Sequence, residues 1–101
     1  MSAPALDPVI HAPARLQIVA FLAGVSEAEF SVLREAAEVS DSVLSKHLAH
    51  LQEAGYVAAR KIASGGRQRT WLSLTRSGRK AFAAYVKALE GLARVARRAA
   101  E

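Results

Sequence analysis

Residues 41–74, DSVLSKHLAHLQEAGYVAARKIASGGRQRTWLSL, contain a helix-forming segment, a glycine and two strand-like segments. Leu44, Leu48 and Leu51 recur at spacings of four and three, which predicts one apolar face of a helix. Gly55 follows, and glycine readily adopts the left-handed conformation that ends many helices. We therefore predict a helix over residues 41–54 that begins after a cap at Ser40 or Asp41, with β-structure beyond it.

The face of this helix opposite the leucines carries small and polar side chains. Small side chains allow a helix to enter a DNA major groove, which is about 12 Å wide, and hydroxyls can donate or accept hydrogen bonds there. A single lysine on such a face is more often simply solvated, so the prediction depends on the neighbouring elements. The candidate DNA contacts on this helix are Ser42, Ser45, Lys46 and His50.

Residues 56–74 are predicted to form a β-hairpin with Gly65-Gly66 at its tip. Cations on both sides of a flexible tip suit contact with a phosphate backbone or a minor groove. The alternative is a charged edge that only prevents strand aggregation. Trp71 alternates away from Leu72 and Leu74, so we expect it to cover the hairpin or a neighbouring helix. The candidate DNA contacts in the hairpin are Arg60, Lys61, Arg67, Gln68 and Arg69.

Two helices are predicted before this segment, over residues 6–23 and 31–38. Asp7-Pro8 resembles a helix cap followed by proline at the first helical position, although Pro13 allows a later start near residues 12–14. Ser31 is the expected cap of the second helix, with a strand of one or two residues at Glu29-Phe30 before it. The second and third helices, joined by a polar turn, form a helix-turn-helix.

The last predicted helix, over residues 75–98, carries apolar residues at alternating spacings of three and four. Such a long seam exceeds what the preceding helices of a small domain can cover, so we expect its C-terminal half to pair with a second protomer. The alternative is a helix that packs back on its own core. The predicted dimer-interface residues are Phe82, Tyr85, Leu89, Leu92 and Ala96.

Composition limits the remaining classes of function. The chain has 101 residues, 51% of them hydrophobic, and a net charge of +5, which favours one compact domain over residues 1–101. Residues 1–45 carry a net −4 and residues 46–101 a net +9, so one face should attract a polyanion such as DNA; the alternative on charge alone is a basic surface that only keeps the protein in solution. No apolar segment is long enough to span a membrane, and no secretion signal is recognised, so we expect a cytoplasmic protein.

Catalytic and cofactor sites are not expected. The chain has no cysteine, and His47 and His50 lack further ligands at metal-binding spacing, so we predict no metal site. His47 lies near the edge of the leucine face, where a packing or backbone-bonding role is expected. Neither a glycine-rich phosphate-binding loop nor a nucleophile motif is present, which argues against an enzyme, and no cofactor is implied.

The segments SKHLAHLQEAGYV and LTRSGRKAF, with the basic glycine hairpin between them, resemble the winged-helix transcriptional regulators of the MarR and ArsR type. The resemblance covers about residues 6–90. It implies an α+β, mostly helical fold: a three-helix core, a β-hairpin wing and a C-terminal dimerisation helix. It also implies a homodimeric, sequence-specific binder of double-stranded DNA, usually a repressor, with Ser42, Ser45 and Lys46 in the major groove and Arg67 and Arg69 in the wing.

The chain departs from these families in two respects. It lacks the cysteine-containing metal box of many ArsR-type sensors, and it is shorter than typical MarR proteins, whose additional helices build a ligand cleft. A cleft lined by Phe82, Tyr85 or Trp71 would accept a small apolar effector, although such residues more often form a core. The alternatives to a sequence reader are a protein-interaction module and an architectural DNA binder that ignores sequence.

Overall fold

The computed structural model describes residues 6–101, so residues 1–5 of the predicted domain lie outside the described residues. Four helices and a three-stranded antiparallel sheet form a winged helix-turn-helix. The elements are α1 (Pro13–Ala23), β1 (Ala28–Glu29), α2 (Phe30–Ala37), α3 (Asp41–Glu53), β2 (Val57–Ser64), β3 (Arg67–Leu74) and α4 (Arg76–Ala99). In the sheet, β3 lies between β1 and β2.

The first helix begins at Pro13, not at residue 6. Pro13 occupies the first helical turn, where its missing N–H has no helical partner to lose, and Ala12 before it is extended. Asp7 does act as a cap, but of a separate turn: its carboxylate accepts from the N–H of Val9, and its carbonyl accepts from those of Ile10 and His11. This turn places Ile10 in the core, where it is fully buried.

The second helix begins one residue earlier than predicted. Phe30 is its first residue, and the preceding extended residue, Glu29, belongs to β1. Ser31 is therefore inside the helix and is not its cap. The helix ends at Ala37. Glu38 after it has a left-handed backbone with φ of 54°, and the chain turns there towards α3.

The third helix is fixed at both ends and along its apolar face. Ser40 accepts a hydrogen bond from the N–H of Val43 at 3.3 Å, which caps the first turn. At the other end, Gly55 has a φ of +80°, and the N–H of Tyr56 reaches back to the carbonyl of Leu51 at 2.9 Å. The core residues on this helix are Leu44, Leu48 and Leu51.

The hairpin of β2 and β3 closes through two glycines. Ser64 pairs with Arg67, and Gly65 and Gly66 between them have φ values of 57° and 77°. Two consecutive left-handed residues match the turn that best fits the twist of a two-residue hairpin. Only the base of the hairpin is buried, through Val57, Leu72 and Leu74, so its outer half extends away from the core. We call β2, β3 and this turn the wing.

The fourth helix starts on the core and then leaves it. Thr75 caps it by accepting from the N–H of Gly78 at 3.0 Å, and the Thr75 hydroxyl donates to the carbonyl of Gly55 at 2.6 Å. Tyr85 is buried and its hydroxyl lies 2.7 Å from Nδ1 of His11. The final turns of α4 are exposed because they extend beyond the core. The described residues therefore have an elongated shape of 61 × 25 × 21 Å.

Candidate nucleic-acid interface

Helix α3 presents its predicted contact residues to solvent. The three leucines of the helix point into the core, and the side chains on the opposite face are exposed. We call this exposed surface the recognition face. Its members are Ser42, Ser45, Lys46 and His50, all exposed.

An ion pair connects α2 to the first residue of α3 across the turn between them. The guanidinium of Arg34, in α2, donates to the carboxylate of Asp41, the first residue of α3, at 2.8 Å. Hydrogen bonding to Asp41, with its negative charge, raises the pKa of Arg34. The contact joins the two helices of the helix-turn-helix at the end from which the recognition face begins. It is solvent-exposed, so it orients the turn more than it stabilises the fold.

The wing distributes its predicted contacts over two faces. Side chains alternate along a strand, so Lys61 and Gln68 share the face of Leu72, whereas Arg60, Arg67 and Arg69 share the opposite face. Lys61 lines an open cleft of about 300 Å³ together with Ser45 of α3. The structure therefore brings Lys61 to the recognition face. Arg67 and Arg69 line a second open cleft, of about 540 Å³, together with Asp41, the first residue of α3.

Two of these arginines have acidic partners that the sequence did not suggest. Arg60 donates to Glu27 through Nε and Nη2, and Nη1 of Arg69 lies 3.1 Å from both carboxylate oxygens of Glu29. Within residues 6–101, Lys61 and Arg67 have no carboxylate within 4.0 Å. No local signal marks Glu27 and Glu29, because their contacts depend on the pairing of β1 with β3.

A second contact missed by sequence reasoning fixes the end of α3. The hydroxyl of Tyr56, just beyond the helix, donates to the carboxylate of Asp7. This hydrogen bond raises the pKa of the Tyr56 hydroxyl, with a smaller contribution from burial. The turn before α1 and the end of the recognition helix are thereby held together across 49 residues of sequence.

His47 lies at the edge of the core face of α3, with Nδ1 buried and without a hydrogen-bond partner among the described residues. The predicted packing role fits this position, but Nδ1 makes no backbone bond. Burial lowers the pKa of His47, and the positive charges of Arg15, His50 and Lys46 lower it further. The folded protein therefore disfavours the imidazolium.

This lowered pKa predicts a loss of stability in acid. As pH falls from neutral, the unfolded chain protonates His47 near its usual pKa of about 6.5, before the folded chain does, so the free energy of unfolding decreases until the folded-state pKa is passed. The melting temperature should fall less between pH 7.5 and 5.5 in His47→Gln than in the wild type. His50→Gln, on the same helix, is the matched control; it removes one of the smaller causes of the lowered pKa of His47 and should retain most of the wild-type decrease, because burial is the largest cause. Identical decreases in all three proteins would contradict this assignment.

Helix α4 uses the residues of its predicted seam in two ways. Tyr85 is 3% exposed, so it belongs to the interior of its own protomer, which corrects its assignment to the dimer interface. Phe82 packs against the core but is only partly buried, so its predicted place in the dimer interface stays a prediction. Further along, Leu89 and Leu92 are each 39% exposed and Val95 is 58% exposed, so the apolar face continues without a cover.

Residues 6–101 contain neither a cluster of metal-ligating side chains nor a membrane-spanning helix. No group of three or more His, Asp or Glu side chains there is arranged to hold a metal ion. None of the helices in the same part of the chain is both long and apolar enough to cross a bilayer.

Comparison with known proteins identifies the family to which this chain belongs. The sequence profile of the winged helix DNA-binding domain matches residues 14–93. An uncharacterized protein of Methanocaldococcus jannaschii is 35% identical over 78 residues, which cover 77% of this chain and 85% of that protein.

Solved structures share the fold. The transcriptional regulator homologue of Pyrococcus horikoshii superimposes with a TM-score of 0.78 at 25% identity, over 83% of each chain. A MarR-family transcriptional regulator of Silicibacter pomeroyi has a TM-score of 0.65 at 24% identity, over 82% of this chain and 55% of its own. The chain therefore belongs to the winged helix DNA-binding domain family.

Proposed function

We propose that this chain is a homodimeric repressor that recognises a specific sequence in double-stranded DNA. The observation that carries the proposal is the recognition face: four exposed polar or basic residues on one side of α3, beside a cleft that Lys61 of the wing also lines. Helix α3 lies in the major groove in this proposal, and the wing follows the adjacent backbone.

The candidate residues contribute to DNA binding in different ways, according to their chemistry. Ser42 and Ser45 are short and carry hydroxyls, so they discriminate between base edges, with Gln68 contributing from the wing. Cations bind phosphates of any sequence and so supply much of the affinity. The cationic contacts in this proposal are Lys46, Arg60, Lys61, Arg67 and Arg69, with His50 joining them when it is protonated.

The dimer forms through the uncovered face of α4. Leu89, Leu92 and Val95 are large and apolar, and at 100° per residue they fall on one side of the helix with Ala96. Lys87 and Arg94 lie on the other side, towards solvent. A second copy of the same helix covers this face most simply, because a two-fold dimer places two recognition helices about 34 Å apart, on successive turns of DNA.

Repression follows from occupancy in this proposal. A dimer that covers two successive major-groove sites excludes other proteins from the same DNA by its volume alone. No second activity is required of the chain.

The division between backbone and base contacts predicts different results for two substitutions. Arg67→Ala should weaken binding to every duplex and make the dependence of log K on log salt shallower by about one unit, because one phosphate contact is lost. Ser45→Ala should cost about 1–3 kcal/mol on the preferred sequence and little on random DNA. Titration of both DNAs at several salt concentrations measures both effects; equal losses on both DNAs for Ser45→Ala would contradict its reading role.

Selection from a random duplex pool at two salt concentrations tests the proposed function as a whole. Sequencing of the bound fraction should return an inverted repeat with half-sites about one helical turn apart. Retention of unselected DNA at low salt, lost at moderate salt, would instead identify an architectural binder. Light scattering at micromolar concentration should give the mass of a dimer, and a monomer mass would overturn the dimer.

A further inference from the structure

In the free protein, two of the four wing cations are paired with a carboxylate of residues 6–101 and two are not. Arg60 and Arg69 are paired with Glu27 and Glu29, whereas Lys61 and Arg67 have no carboxylate within 4.0 Å among residues 6–101. Half of the positive charge that the wing offers to DNA is therefore already neutralised by the protein itself.

The sheet register explains why these partners meet. Glu29 of β1 pairs with Trp71 of β3, and Arg69 is two residues from Trp71 on the same face, so Glu29 and Arg69 are diagonal neighbours. Arg60 of β2 pairs with Trp71 from the other side. Its side chain must cross the face of β3, the central strand, to reach Glu27 next to β1. Both contacts therefore lie on the face of the wing that carries Trp71, and Glu29 and Arg69 also line a cleft with Asp41 at the start of α3.

The contacts occupy donors that a phosphate would use. Arg60 reaches its glutamate through two nitrogens, and Arg69 uses one nitrogen to contact both oxygens of Glu29. Carboxylate and phosphate oxygens compete for the same guanidinium donors. The arginine side chains are 52% and 45% exposed, and exposed ion pairs are weak. A nearby DNA phosphate can therefore displace the carboxylate, but the loss of the ion pair offsets part of the free energy of the new contact.

We propose that Glu27 and Glu29 are internal competitors for DNA phosphates: they hold Arg60 and Arg69 in the free protein and lower the affinity of the wing for duplex DNA of any sequence. This inference rests on the proposed function. Binding to random DNA depends almost wholly on phosphate contacts. The two glutamates therefore leave the base contacts of α3 a larger share of the total binding free energy.

Neutralising one glutamate should reveal the competition. In Glu29→Gln, affinity for a random duplex at 50 mM salt should rise roughly threefold or more, and the slope of log K against log salt should become steeper by about 0.9, the value for one added phosphate contact. The gain should shrink roughly threefold by 200 mM salt, since the added contact is salt-sensitive. Glu27→Gln should act in the same direction through Arg60.

Glu90→Gln is the matched control. Glu90 is an exposed residue of α4, and its replacement changes the net charge of the chain by the same amount without releasing a wing arginine. It should leave the salt slope unchanged. Equal effects of Glu29→Gln and Glu90→Gln would show that net charge alone acts, and would overturn the inference.

A purely structural role for the glutamates makes the opposite prediction. If the ion pairs only brace the wing, Glu29→Gln should bind DNA more weakly than the wild type, and this result would also overturn the inference. Glu29→Gln combined with Arg69→Ala gives a second check: the double variant should lose the gain in affinity, because the released arginine is absent. A gain retained in the double variant counts against the proposal.

The same titrations separate this inference from the proposed function. Absence of DNA binding by the wild-type protein would overturn the proposed function and the inference with it. Binding by the wild type, with Glu27→Gln and Glu29→Gln both matching Glu90→Gln, would overturn the inference alone.

Discussion

Gly78→Ala should destabilise the protein by about 2–4 kcal/mol, a large effect for the addition of one methyl group. A Cβ at residue 78 would lie 2.2 Å from the carbonyl oxygen of Tyr56 and 3.0 Å from its carbonyl carbon. These are backbone atoms, so no side-chain rotation relieves the contact. The same carbonyl accepts a hydrogen bond from the N–H of Thr75 at 3.0 Å, and moving it would break the junction between β2 and α4.

The effect of Gly78→Ala opposes helix propensity, which makes the prediction specific. Alanine is favoured over glycine in a helix by about 1 kcal/mol, so without the contact the substitution would stabilise α4. Gly91→Ala, in the same helix, is the matched control, because a Cβ there meets nothing within 4 Å. It should stabilise the protein by up to about 1 kcal/mol. Urea unfolding measures both, and a Gly78→Ala protein as stable as the wild type would exclude the close approach.

The elements that were predictable from sequence are those set by local chemistry. Leu44, Leu48 and Leu51 mark the buried face of α3 because their spacing matches the helical period, and each is buried. Gly55 adopts the left-handed conformation expected at a helix end. The winged-helix fold followed from the order of such local signals along the chain, and the structure confirms it.

The features that sequence reasoning missed depend on contacts between distant residues. Glu27 and Glu29 precede Arg60 and Arg69 by 33 and 40 residues, and only the register of β1 on β3 brings them together. The apolar periodicity also predicted that Tyr85 and Leu89 lie on one seam of α4, and in the structure they do. It could not show where the core ends along that seam, because this depends on how α1 and the turn before it cover Tyr85 through His11.

Leu92→Glu should convert the protein to a monomer and weaken binding to a two-half-site operator by about 100-fold or more. A dimer binds its second half-site at a high effective concentration, which contributes about 10²–10⁴ to the overall affinity, and a monomer loses this gain. In the proposed interface Leu92 occurs twice, so the substitution buries two carboxylates in an apolar contact. Light scattering and titration of a two-half-site duplex measure the two effects.

A second charge variant and a single-half-site duplex serve as controls for Leu92→Glu. Ala83→Glu adds the same charge on the exposed side of α4 that carries Lys87 and Arg94, and should leave both mass and affinity near wild-type values. Binding of Leu92→Glu to a single half-site should also be nearly unchanged, because the recognition face and the wing lie on other elements. A large loss on the single half-site would mean that the substitution damages the fold rather than the interface. A dimer mass for Leu92→Glu would place the interface elsewhere and leave the exposed face of α4 to another role.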